Sequence, residues 1–424
     1  MNSKKVLVTG VGVVSPFSLS VEQHFQDWID GKSAVVIAPD PVFKDSPHLE
    51  ARVAEFDRKS VLNNRMLRKV LSPSAGYAVG AAQAAIADAG LSGNYPVLEQ
   101  CGLWVGSLSL EVDPDTFIPA LKASLNAQKE FDMSLFARRG MKLLDPLFLV
   151  RALPNAAVCG ISVELQVLGP NTNFTSGTSS GIMAIHSAAA AIQRGEVDCA
   201  LAGGLDTLLG MDCIAEHLVA NHLSHDFTCP AKACKPFDQN RDGFALGEGA
   251  AFVLLESETH AAQRGARPYA ELLGYAMTTD TRLIVAQNRG DGAALAQAAR
   301  LALQQSDCRP EDIGLVVGDG LGSNLDDLRE ASAFEAIQDG GPAVFTASTA
   351  SLGFTGAASG AFSFVHACLA IKRQVLPPLI NCDHPDPRCK VRFLPEAAQS
   401  RFERAMVWNS DRGIKNVAMV LGSS

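Results

Sequence analysis

The stretch "FTSGTSSGIMAIHSAAAAIQRG" (174–195) and its distant echo "FTASTASLGFTGAASGAFSFVHACLAIKRQ" (345–374) decide how this chain folds. Each reads as a strand ending in a Gly/Ser/Thr turn, followed by an Ala-rich helix that closes on basic residues. Such a turn holds one side chain at a strand-to-helix elbow, with backbone N–H groups beside it. Two copies predict a duplicated α/β unit whose elbows face each other across a pseudo-two-fold axis. Further echoes agree: "VLVTGVGVVSP" (6–16) with "ELLGYAMTTD" (271–280), and "CGLWVGSL" (101–108) with "IGLVVGDG" (313–320). The boundary falls near 264–267, giving an N-terminal half 1–265 and a C-terminal half 266–424.

Strand-like and helix-like segments alternate throughout, the order of an α/β protein with mostly parallel strands covered by helices. The 424 residues are 47% hydrophobic and 19% charged, enough for a large buried core. A net charge of −9 argues against nucleic acid as a main partner; "RMLRK" (65–69) is the densest basic run and reads as a solvated helix face. No apolar run approaches the length of a membrane span. Ten cysteines are scattered without CxxC pairs, which suits a reducing, cytoplasmic setting. Cys101, Cys159, Cys199 and Cys368 sit among apolar neighbours and read as small core residues. Cys382, His384 and Cys389 lie in a Pro-rich loop whose spacing fits no common zinc pattern, so no metal site is expected.

Two short motifs are weighed and set aside. "GTSSG" (177–181) matches G-x-S-x-G, with Ser179 as nucleophile and Asp383 and His384 as partners. The partners lie in a turn-rich loop and no oxyanion segment accompanies the motif, so a tight small-residue turn is the better reading. "GVGVVS" (10–15) lacks the third glycine of a dinucleotide fingerprint.

"KPFDQNRDGFALGEGAAFVLLE" (235–256) is far more specific and resembles the β-ketoacyl synthase family, the condensing enzymes of fatty acid and polyketide assembly. "KKVLVTGVGVVSPF", "LPNAAVCGISVELQVLGPN" (153–171), "IQRGEVDCALAGGLD" (192–206) and "LPPLINCDHPDP" (376–387) carry the resemblance over the full length. It implies a thiolase-type fold: two similar halves, an αβαβα five-layer sandwich, and an obligate dimer in which the strand around 171–176 pairs across the two-fold axis. Asn171, Thr172, Asn173, Phe174 and Thr175 are the interface residues so implied.

The family's chemistry needs a thiolate, two imidazoles and an oxyanion hole. Carried onto this sequence, the nucleophile position is Thr178, anchored by Ala184-Ile185-His186. The first histidine position is Asp319 in "DGLGS". The second lies in "STASLGFTGAAS", where Ser348 replaces a Lys and Gly353 the His. The C-terminal G-F-G-G-x-N becomes "DRGIKN" (411–416), with Arg412 at the gating Phe. No catalytic group is intact. His186 and His366 read as core histidines, and His217, His222 and His225 as residues of a variable lid. The chain thus resembles a chain length factor, the non-catalytic partner of an active ketosynthase in type II polyketide synthases. The resemblance implies a heterodimer with that ketosynthase, substrates borne on an acyl carrier protein, and no cofactor. Phe117, Leu121, Phe131, Phe136 and Phe148 are the candidates for setting tunnel depth. Two readings rival it: a Thr178- or Ser179-dependent acyltransferase or a malonyl decarboxylase, and a homodimeric pseudoenzyme acting as a scaffold.

Overall fold

The computed structural model describes residues 4–39, 43, 46–54, 56–108, 110–282, 291–338 and 340–424. Ten strands carry the architecture: β1 (Val6–Val14), β2 (Gly102–Gly106), β3 (Asn171–Phe174), β4 (Cys199–Thr207), β5 (Leu246–Ser257), β6 (Ala270–Thr279), β7 (Leu315–Gly318), β8 (Val344–Ala347), β9 (Arg404–Ser410) and β10 (Lys415–Gly422). Their order is β3-β2-β4-β5-β1 continued by β6-β10-β9-β7-β8. The second five mirror the first, strand for strand. In each set the three outer strands run parallel and the two inner pairings are antiparallel. The sets join where Val6, Leu7 and Val8 pair antiparallel with Leu272, Glu271 and Ala270. The sequence repeat is therefore a repeat of topology.

Six helices cover these strands: α1 (Val21–Ile29), α2 (Pro73–Asp88), α3 (Ser180–Gln193), α4 (Ala293–Gln305), α5 (Asn324–Gln338) and α6 (Ser359–Arg373). Their starts are legible locally. Ser20 and Ser72 accept the free N–H of Gln23 and Ala75, and Pro73 fills the first turn of α2, where its missing N–H costs nothing. The strands alternate between two cores because successive side chains leave opposite faces, with a bulge between Val8 and Gly10 shifting the phase on β1. On β5, Ala251, Val253 and Leu255 face the middle layer, while Ala250, Phe252 and Leu254 face α2. On β10, Val417, Met419 and Leu421 face the middle, and Ala418 and Val420 face α4 and α5. With α3 and α6 in the middle, this is the αβαβα sandwich of a thiolase-type fold. Burial on both faces explains why these strands read as unbroken apolar runs.

Three expectations are corrected. The sheet is mixed and not mostly parallel: of the nine pairings along the ten strands four are parallel and five antiparallel, because each half ends in two antiparallel pairings and the halves themselves join antiparallel. Cys159 is exposed: on the helix Ala156–Leu165 it lies on the face opposite the buried Ala157, Gly160 and Ile161. "RMLRK" is no long helix face; only Leu67–Val70 is helical, and Arg68 Nε donates to the Leu62 carbonyl at 2.5 Å. His366 is fully buried as expected, but it has a partner that the sequence did not reveal. Its Nε2 lies 2.8 Å from Nε2 of His24, whose Nδ1 meets Ser15 Oγ at 2.8 Å, and Trp28 stacks on its ring at 3.9 Å.

Burial holds His24 down to about 4 and His366 well below the ordinary imidazole range. A base whose folded-state pKa is depressed loses stability as pH falls below its unfolded value near 6.5. Urea melts are expected to show an unfolding free energy that drops between pH 6.5 and 5 by roughly 1.4 kcal/mol per unit for each such histidine. In His24→Gln that slope should be shallower, and an unchanged slope would contradict the assignment.

Candidate functional site at the strand-to-helix elbow

The elbow lies between β3 and α3. Gly177 turns the chain at φ +82°, a left-handed conformation that suits glycine. Thr178, Ser179 and Ser180 follow, all buried, and Ser180 Oγ ties the turn by donating to the Gly177 carbonyl at 2.6 Å. The turn between β9 and β10 is pressed against it. Asp411 Oδ1 accepts the Thr178 N–H at 3.2 Å and the Thr178 hydroxyl at 3.1 Å. Lys415 Nζ donates to the Ser176 carbonyl at 2.9 Å. The Thr178 backbone N–H is thus engaged by a carboxylate of the same chain.

Of the other expected positions, Arg412 belongs to this turn and Asp319 meets it, whereas Gly353 packs against Leu246 and Gly247. Asp319 follows β7 and is buried; its carboxylate accepts Asn409 Nδ2 at 2.5 Å and the Ser410 N–H at 2.7 Å. Ser348 is buried beside it, its neighbour Thr349 donating to the Asp319 carbonyl at 2.6 Å. Arg412, at φ +49°, has Nη1 3.0 Å from His222 Nε2, and its carbonyl accepts Arg329 Nη1 at 2.7 Å. Gly353 has no room for a larger residue: a Cβ there would stand 2.8 Å from the Leu246 carbonyl oxygen, at φ +69°. The cavity lined by Asp319, Asp326, Glu330, Ser410 and Arg412 encloses about 20 Å³, space for one water.

Sequence reasoning passed over Asp411 and Lys415, and read His222 only as a residue of a variable lid. The signal for Asp411 was present, since it stands at the first glycine of the G-F-G-G-x-N pattern; what it touches is visible only once residues 233 positions apart meet. Among the tunnel candidates, Phe117 stacks on Phe148 at 6.0 Å and Phe131 packs on Phe136 at 5.7 Å. The five do not form one cluster, and none is fully buried. β3 is an edge strand: among the described residues it pairs with β2 on one side only, and Asn171 and Thr172 are exposed.

The electrostatics at Asp319 are set by burial. Desolvation first, then the Glu330 carboxylate, pushes Asp319 well above the usual range; Glu330 is raised also, and Asp327 reaches about 8. Glu330 meanwhile accepts the N–H groups of Asp319 and Gly320, both at 2.8 Å. A raised folded-state pKa contributes stability that is present at low pH and lost as pH climbs through the folded value. Asp319→Asn keeps the shape without the charge. It should raise the thermal midpoint more at pH 8 than at pH 5; a gain equal at both values would contradict the buried-charge account.

The comparisons with known proteins agree with this architecture. Residues 3–261 match the N-terminal domain of beta-ketoacyl synthases and residues 269–383 the C-terminal domain. A 3-oxoacyl-[acyl-carrier-protein] synthase 2 of Coxiella burnetii is 30% identical over 99% of both chains. A solved structure titled as the ishigamide ketosynthase/chain length factor is 25% identical and covers 100% of both chains at a TM-score of 0.85. A beta-ketoacyl synthase from Burkholderia phymatum, 25% identical, covers 99% of this chain and 100% of its own at 0.88. Over its whole length, then, this chain is a member of the β-ketoacyl synthase family.

Proposed function

We propose that this chain is a non-catalytic, chain-length-factor-like subunit, built of halves 1–265 and 266–424, that pairs with an active β-ketoacyl synthase and shapes the tunnel for a chain growing on an acyl carrier protein. The observation that carries the reading is the elbow itself. Position 178 bears a hydroxyl in place of a thiol, its N–H is taken by Asp411, and the positions expected to supply imidazoles hold Asp319 and Gly353. A subunit that acts by shape needs none of these groups.

Two features support the pairing. The outer edge of β3 offers a row of backbone N–H and C=O groups to a partner strand. In the segment leading into it, Leu143, Leu149, Val150, Leu153, Val163 and Leu168 expose large apolar side chains, surface of the kind that marks an interface.

The alternative, a Thr178- or Ser179-dependent acyltransferase or a malonyl decarboxylase, draws on one contact: Asp411 lies within reach of the Thr178 hydroxyl as a base. The same oxygen holds the N–H that an acyl transfer needs, which favours the non-catalytic reading. The test is co-expression with a ketosynthase whose cysteine and histidines are intact. The two chains should co-purify, and enlarging or trimming Phe117, Leu121 or Phe148 should change the length of the products. Products of unaltered length after several such changes, from a pair that still assembles, would remove the tunnel assignment.

A further inference from the structure

The turn joining β9 to β10 is fixed by its own hydrogen bonds. The Asp411 N–H donates to the Lys415 carbonyl at 2.8 Å, the Ile414 N–H to the Asp411 carbonyl at 3.0 Å, and the Gly413 N–H to Ser410 Oγ at 2.8 Å. It grips the elbow at three points: Asp411 on Thr178, Lys415 Nζ on the Ser176 carbonyl, and the Ser179 hydroxyl on the Lys415 carbonyl at 3.4 Å. Gly177 leaves space for the carboxylate, since a Cβ there would stand 2.2 Å from Asp411 Oδ2. Turn and elbow are matched, in position and in the choice of glycine.

We infer that Asp411 is an internal anion that closes the elbow, a second block on chemistry at position 178 that is independent of the missing thiol. Backbone N–H groups at such an elbow attract negative charge, and α3 adds the positive end of its dipole. The carboxylate takes that place permanently. An incoming thioester oxygen would have to displace it, and the charge that develops on that oxygen would meet a like charge. A thiolate at position 178 would meet it as well, so its ionisation would be suppressed. Restoring a cysteine alone therefore leaves the site inert.

The inference takes from the proposed function only the meaning of position 178, and its test reads the ionisation of a thiol, so the two can fail separately. In the full-length chain, Thr178→Cys is compared with the double variant Thr178→Cys/Asp411→Asn. Each is treated with iodoacetamide over a pH series, and alkylation of the peptide spanning position 178 is followed by mass spectrometry, which sets it apart from the ten native cysteines. Asparagine keeps the size and one oxygen of the aspartate, so a merely structural role would leave the thiol unmoved. The double variant should react at least about tenfold faster at pH 7.5, with its apparent thiol pKa lower by about one unit, the equivalent of tenfold in ionisation. Rates within twofold of each other, or a faster single variant, would overturn the inference. So would the absence of reaction in both variants at unchanged thermal midpoints, because something other than Asp411 would then be closing the elbow.

Discussion

The two middle helices meet through glycine, and the rest of the molecule depends on that closeness. A Cβ at Gly181 would stand 2.5 Å from the Ala357 carbonyl oxygen, and one at Gly360 would stand 2.8 Å from Ile182 Cβ. With glycine at these two contacts, α3 and α6 share one layer between the two halves of the sheet, and the inward faces of β1, β4, β5, β9 and β10 close over them as a single core. The alanine-rich composition of both helices follows from the same constraint, since a bulkier residue in an interior packed this tightly forces off-rotamer side chains or a backbone shift.

That packing also brings the functional positions together. Because the helices begin side by side, the elbow ahead of α3 and the turn between β9 and β10 come to the same place. Asp411 reaches Thr178, and Asn409 and Ser410 reach Asp319. The family's fold is retained over the full length, while the groups at these positions are a hydroxyl, carboxylates and a guanidinium. Their electrostatics point away from nucleophilic chemistry: a carboxylate sits on the oxyanion N–H, and a buried acid pair at Asp319 and Glu330 is forced toward its protonated form by desolvation.

Much of the fold was legible in the sequence because it rests on local signals. The alternating strands, the serine and proline at helix starts, and the repeated strand–turn–helix unit all survive as pattern. Positions 178, 319, 348, 353 and 412 were assigned from motif spacing alone. What stayed hidden depends on residues far apart in the chain. The His24–His366 contact joins positions 342 apart, so His366 reads from the sequence as a core histidine but its partner does not show. Asp411 was quoted within a motif, but its role exists only against Thr178. Cys159 shows the limit of composition: apolar neighbours along the chain do not say which face of a helix is turned outward.

The central claim is that this chain supplies form and another subunit supplies the nucleophile. Intact-mass spectrometry of the heterodimer during turnover with a malonyl-loaded carrier protein tests it most directly. The account predicts acyl adducts on the partner ketosynthase alone, with this chain at its unmodified mass at every time point. An acyl adduct on Thr178 or Ser179, or turnover by this chain in the partner's absence, would contradict it.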